Sequence, residues 1–63
     1  MTLDKAKLYK TASLPSEIGD WRYFVQIRFP ELLEDGSIRF QCYGADGRAL
    51  GYANEDELQD FCL

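Results

Sequence analysis

The chain has 63 residues, a formal net charge of −4, and a hydrophobic fraction of 46% that includes four Phe, four Tyr and one Trp. This length limits it to one domain over residues 1–63 with no deep internal pocket, and the apolar content excludes a disordered chain. No apolar run is long enough to span a membrane, and the acidity disfavours nucleic acid and anionic membranes as partners.

The composition also argues against an enzyme. There is no histidine, which is the commonest general base and the commonest metal ligand. We interpret Cys42 and Cys62 as small buried hydrophobic residues, rather than as a disulfide or as part of a zinc site. We therefore predict no catalytic residue, no cofactor and no metal. The N-terminus lacks the apolar region of a signal peptide, so we expect a cytoplasmic protein.

The N-terminal segment from Asp4 to Ser13 fits two structures. Its residues are good helix formers, and Thr2 is a suitable N-cap. Its lysines also alternate with apolar residues, which is typical of an edge strand protected against unwanted pairing. We favour the strand. Pro15 and Gly19 then predict a loop over residues 15–20.

The stretch from Trp21 to Phe29 has the clearest pattern in the chain. Apolar residues occupy every odd position, whereas the even positions carry arginine, phenylalanine and glutamine. Because successive side chains of a strand point to opposite faces, this pattern predicts a strand with one buried face and one cationic face. Pro30 lacks a backbone donor and is expected to end the central pairing.

Two turns and two further strands follow. Residues 34–37 predict a turn with Gly36 at positive φ, and residues 38–43 alternate as a second two-faced strand. A three-residue loop over positions 45–47, with Gly47 in the left-handed region, would place Cys42 opposite Leu50. The same register places Phe40 opposite Tyr52, so that apolar residues meet on one face.

The C-terminal segment from Asn54 to Cys62 is predicted to form a helix. Asn54 suits the N-cap, Glu57 occupies the acidic position of a capping box, and Leu58, Phe61 and Cys62 form an apolar stripe. The predicted fold class is therefore α+β, an antiparallel three- or four-stranded β-meander with one short C-terminal helix packed on one face. The predicted core consists of Trp21, Tyr23, Val25, Ile27, Phe29, Ile38, Phe40, Cys42, Leu50, Leu58 and Phe61.

The face of the sheet opposite the helix is the main candidate for function. Arginine with aromatic residues is enriched at protein interfaces, and the same composition also binds single-stranded nucleic acid. An ordinary solvated face, with a phenylalanine under arginine stems, is the third interpretation. The predicted partner-binding residues are Arg22, Phe24, Gln26, Arg28, Arg39, Gln41 and Tyr43.

The functional hypothesis is a small non-catalytic protein-interaction module, either an adaptor or an inhibitor, of a compactness that suggests a bacterial or phage origin. The acidic end of the predicted helix, with Glu55, Asp56, Glu57 and Asp60, is a second candidate surface. Homodimerisation through an exposed strand edge or the open face is a further expectation. A single-stranded RNA- or DNA-binding module that uses the same arginines and aromatic residues is the alternative.

Overall fold

The computed structural model covers all 63 residues and is nearly all-β. One antiparallel sheet holds five strands in the order β4-β3-β2-β1-β5, so β4 and β5 are its two edges. The elements are α1 (Leu3–Ala6), β1 (Thr11–Pro15), β2 (Arg22–Leu32), β3 (Ile38–Tyr43), β4 (Ala49–Asn54) and β5 (Gln59–Cys62).

The predicted C-terminal helix, and with it the α+β class, was wrong. The capping signals are used, but only for a turn. The Glu57 carboxylate accepts a hydrogen bond from the Asn54 N–H, and the Glu57 N–H donates to the Asn54 carbonyl. A two-turn helix is unstable alone. The chain instead extends as β5, which covers the free edge of β1 and buries Leu58.

The N-terminal segment divides between the two structures that its sequence fits. Residues 3–6 form one helical turn, in which the Thr2 hydroxyl accepts a hydrogen bond from the Lys5 N–H. The strand begins only at Thr11, later than expected, and lies between β2 and β5 rather than at an edge. No helix in the structure approaches the length or apolarity of a membrane span.

The central strand β2 is longer than predicted because Pro30 does not end it. The register with β3 shifts between Arg28 and Glu31, and Phe29 within this bulge has a φ of 53°. A bulge is one of the few places where a sheet tolerates proline. By alternation, Phe29 would share a face with Val25 and Ile27. The bulge turns it away from that face, so that its side chain is exposed.

The β3–β4 hairpin has the predicted loop but a different register. The Gly44 N–H donates to the Arg48 carbonyl, and Gly47 has a φ of 84°. A second bulge then shifts the pairing by one residue, with Gly51 at a φ of 120°. Cys42 therefore lies opposite Gly51 rather than Leu50, and Phe40 lies opposite Ala53 rather than Tyr52.

The core lies on one face of the sheet, which we call the inner face. Of the predicted core, Val25, Ile27, Ile38, Phe40, Cys42 and Leu58 are buried, and Phe61 packs against them. Small residues complete the core, since Ala6 of α1, Ala12 of β1 and Ala53 of β4 are also buried. The remaining predicted core residues are exposed, and assigning them to the core was wrong: Trp21, Tyr23, Phe29 and Leu50.

Candidate functional site

The predicted partner-binding residues lie on the outer face, the side of the sheet opposite the core. The β2–β3 register sets Gln26 beside Tyr43 and Arg28 beside Gln41. Phe24 stands next to them on β2, opposite Ser13 of β1. Five of the seven residues thus form one contiguous group, whereas Arg39 lies beyond the β2 bulge and Arg22 lies at the far end of β2.

The middle of this group is ordered by its own side chains. The Arg28 guanidinium lies over the Tyr43 ring, 4.7 Å from its centroid, and donates to the Gln26 side-chain oxygen at 2.8 Å. The Tyr43 hydroxyl in turn donates to the Gln41 side-chain oxygen at 2.8 Å. Such a stack holds an arginine flat on the sheet without covering it.

A second arginine–tyrosine stack lies on the neighbouring strands. The Arg39 guanidinium sits 4.3 Å from the Tyr52 ring centroid and donates to Glu31 at 2.8 Å. Its Nε is shielded from solvent and has no hydrogen-bond partner. Tyr52 was missed from the sequence because the expected register placed it on the inner face, and the β4 bulge moves it to the outer one.

Phe24 is the apolar centre of this surface. Its side chain is 62% exposed although it lies in the middle of the sheet, between β1 and β3. Farther along β2, a shallow depression of about 360 Å³ is lined by Lys10, Thr11, Gln26, Ile27 and Arg28. We define the outer-face patch as Phe24, Gln26, Arg28, Arg39, Gln41, Tyr43 and Tyr52.

Arg22 is engaged elsewhere. Its Nε donates to the Ser13 hydroxyl oxygen at 2.9 Å, and one terminal nitrogen donates to the backbone carbonyls of Ser13 and Glu57. The Ser13 hydroxyl donates to the Asp60 carboxylate at 2.9 Å. Ser13 is almost fully buried under this network, which links β1, β2 and β5. Arg22 therefore fastens the sheet, and we leave it out of the patch.

The acidic surface predicted at a helix end does not exist in that form, because Glu55, Asp56 and Glu57 lie in the turn between β4 and β5. Two of them bind the chain itself. The Glu55 carboxylate accepts a hydrogen bond from the Ile38 N–H and pairs with the N-terminal amine at 3.4 Å. Glu57 accepts from the Asn54 N–H, so only Asp56 is left without a bond.

Neither thiol forms a disulfide, and the two are in different environments. Cys42 is buried on the inner face, as predicted, whereas Cys62 near the C-terminus is exposed, so its predicted burial was wrong. Burial raises the pKa of the Cys42 thiol, and the charge of Glu57 raises it further. No three side chains from His, Cys, Asp and Glu come together as a metal site would require.

No protein-family model matches the chain, and neither the curated proteins nor the solved structures contain a significant match.

Proposed function

We propose that this chain is a protein-binding module, an adaptor or inhibitor, and that the outer-face patch is its contact surface. The observation that carries the proposal is Phe24, which is 62% exposed in the middle of the sheet and shares its strand and face with Arg28, an arginine held flat on a tyrosine ring. Exposed aromatic residues and arginines with few free rotamers are the typical anchors of protein interfaces.

The charge on the patch supports a protein partner over nucleic acid. Arg39 is paired with Glu31, which leaves Arg28 as the one patch arginine without a carboxylate partner. The whole chain carries a net charge of −4. Nucleic-acid binding draws most of its affinity from neutralised phosphates and requires several such cations on one surface.

The test is affinity capture from the native host lysate with the wild-type chain and two variants. Phe24→Ser with Arg28→Glu removes the apolar centre and reverses the free charge of the patch. Both side chains are exposed and neither binds the backbone, so the fold should be retained. Lys7→Glu, an exposed residue beyond α1, makes the same charge change away from the patch.

We expect the wild type and Lys7→Glu to recover the same stoichiometric protein, and the patch variant to lose it. Equal recovery by all three chains, with unchanged thermal unfolding, contradicts the proposed surface. If the recovered protein is the chain itself, sedimentation should show a dimer that the patch variant cannot form.

The nucleic-acid alternative is separated by titrating a fluorescent oligo(dT) at two salt concentrations. Binding that weakens steeply with salt and requires Phe24 and Arg28 replaces the proposal with a single-stranded nucleic-acid module. Absence of binding at low salt removes that alternative.

A further inference from the structure

A cavity of about 470 Å³ opens between the two edges of the sheet. Residues of β4 line one side of it, and β5 with the turn before it lines the other. The ends of β1 and β2 close its base. Since β4 and β5 are not hydrogen-bonded to each other, the cavity is the seam where the sheet does not close on itself. We call it the seam cavity. Its volume lies within the range of ligand sites, about 300–1,000 Å³.

Six of the 13 residues that line the seam cavity are hydrophobic. Leu14 and Tyr23 face it from the ends of β1 and β2, and Cys42 and Ala53 face it from β3 and β4. Leu50 stands at its mouth, about half exposed. These residues offer contact to an alkyl chain rather than to a polar head group.

The rim has the opposite character, because three carboxylates surround the opening: Glu17, Asp56 and Glu57. Glu17 and Asp56 have neither an ion-pair partner nor a hydrogen bond, so their charges are uncompensated. Arg22 is the one cation that lines the cavity, and its Nε and one terminal nitrogen already donate to Ser13 and the Glu57 carbonyl. The charge of Glu57 also contributes, after burial, to the raised pKa of Cys42, which lines the same cavity.

We propose that the seam cavity binds a lysine or arginine side chain of an extended segment from a basic partner protein. The alkyl stem of such a side chain would pack on Leu14, Tyr23 and Leu50, while its charged end stays among the rim carboxylates. An extended segment also suits a site between two unpaired strand edges, because such edges accept an added strand.

Charge complementarity selects this occupant over a second copy of the chain. A second copy would bring a further net charge of −4 to an acidic rim. The seam cavity is separate from the outer-face patch, because Tyr52 is the only residue that belongs to both. The two proposals can therefore fail independently.

The probe is the peptide Ac-Ser-Leu-Lys-Leu-Ser-NH2, compared with two peptides in which norleucine or glutamate replaces the lysine. Trp21 is the only tryptophan and packs edge-on against Tyr23 of the cavity, with ring centroids 5.9 Å apart. Its fluorescence should therefore report occupation. We expect saturable binding of the lysine peptide, about tenfold weaker binding with norleucine, and none with glutamate.

The matched variants test the rim. Glu17→Gln with Asp56→Asn removes the two uncompensated charges, and Asp4→Asn with Glu34→Gln makes the same change in net charge away from the cavity. Loss of both rim charges should weaken the lysine peptide about tenfold and leave the norleucine peptide unaffected. The control pair should bind as the wild type does.

Several results would overturn the proposal. One is no binding of the lysine peptide at low salt, another is equal binding of the glutamate peptide, and a third is the same loss in the control variant. Amide chemical shifts provide a second readout, and changes must centre on Gly51 and Glu57 rather than on Phe24. If the double rim variant unfolds, Glu17→Gln alone replaces it in the test. The chain with Phe24→Ser and Arg28→Glu must still bind the lysine peptide, because those residues lie outside the seam cavity.

Discussion

The two sides of the outer face use arginine in opposite ways. On the β5 side, Arg22 donates hydrogen bonds to the Ser13 hydroxyl and to two backbone carbonyls, so its Nε and one terminal nitrogen are engaged within the chain. On the β4 side, Arg28 and Arg39 lie over tyrosine rings and remain accessible. The three residues have the same side chain on the same face. Arg22 differs from the two stacked arginines in its acceptors, because it donates to the Ser13 hydroxyl and to two backbone carbonyls, whereas Arg39 donates to the carboxylate of Glu31 and Arg28 to the side chain of Gln26.

The largest expected effect distinguishes these two roles directly. Arg22→Met leaves the buried Ser13 hydroxyl and two carbonyls without a donor, which should cost about 1–3 kcal/mol of unfolding free energy. Arg28→Met, the matched change on the other side, should alter it by less than about 0.5 kcal/mol. Urea unfolding of both variants measures the difference. Equal losses would mean that the two sides do not differ as described.

Asp60 tests the same network from β5. Its φ of 54° is left-handed, and its carboxylate accepts the hydrogen bond of Ser13. Asp60→Ala removes the acceptor and leaves a side chain that disfavours this φ, at a cost of about 1–2 kcal/mol. Asp60→Asn keeps an acceptor and tolerates the conformation, so its unfolding midpoint should stay near that of the wild type. A comparable loss with asparagine would show that the charge, rather than the geometry, matters.

The stacks on the β4 side should contribute less. A double-mutant cycle on Arg39 and Tyr52, with each changed to leucine, is expected to give a coupling free energy of about 0.5–1 kcal/mol. The same cycle on Arg28 and Tyr43 should give a similar value. A coupling free energy near zero in both cycles would mean that the two guanidinium groups are not held on the tyrosine rings. That result would contradict a rigid patch.

The smallest effect concerns pH and Cys42. Its folded-state pKa is raised, chiefly by burial, so the thiol stays protonated in the folded chain after the unfolded chain begins to ionise. Its stabilising contribution is therefore complete below the unfolded thiol pKa and is lost as the pH rises through the folded pKa. Cys42→Ala should remove this part of the alkaline loss of stability, and Cys62→Ser should not. Identical alkaline profiles for the wild type and Cys42→Ala would contradict it.

Local pattern was sufficient for β3 and for the two glycine turns, but not for the end of β2, the β4 register or the terminal segments. The alternation in β3 correctly predicted its buried residues, and Gly36 and Gly47 were correctly placed at positive φ. The helix predicted after Asn54 failed, because real capping bonds stabilise a single turn as readily as the start of a helix. The segment forms a strand because it pairs with the free edge of β1. No pattern within the segment itself indicates that this edge is available.

For the candidate site, strand parity placed Phe24, Gln26 and Arg28 on one face, and the structure retains that placement. Tyr52 was missed, and the seam cavity was not expected, for the same reason. A bulge at Gly51 shifts β4 by one residue, which moves Tyr52 to the outer face and leaves Gly51 and Ala53 over the inner one. A bulge moves every later side chain of the strand to the opposite face of the sheet. The presence of a glycine is not sufficient to predict where a bulge occurs.

The sequence by itself determined which residues of β2 and β3 alternate, where the turns at Gly36 and Gly47 fall, and that the central core is built from Val25, Ile27, Ile38, Phe40 and Cys42, because these depend on neighbours along the chain. The tertiary structure alone decided which strands are edges, which arginine donates to backbone carbonyls, and where the sheet leaves its seam open. Those features depend on pairing between distant segments, and burying Leu58 together with the β1 edge outweighs the weak helical preference of a few terminal residues.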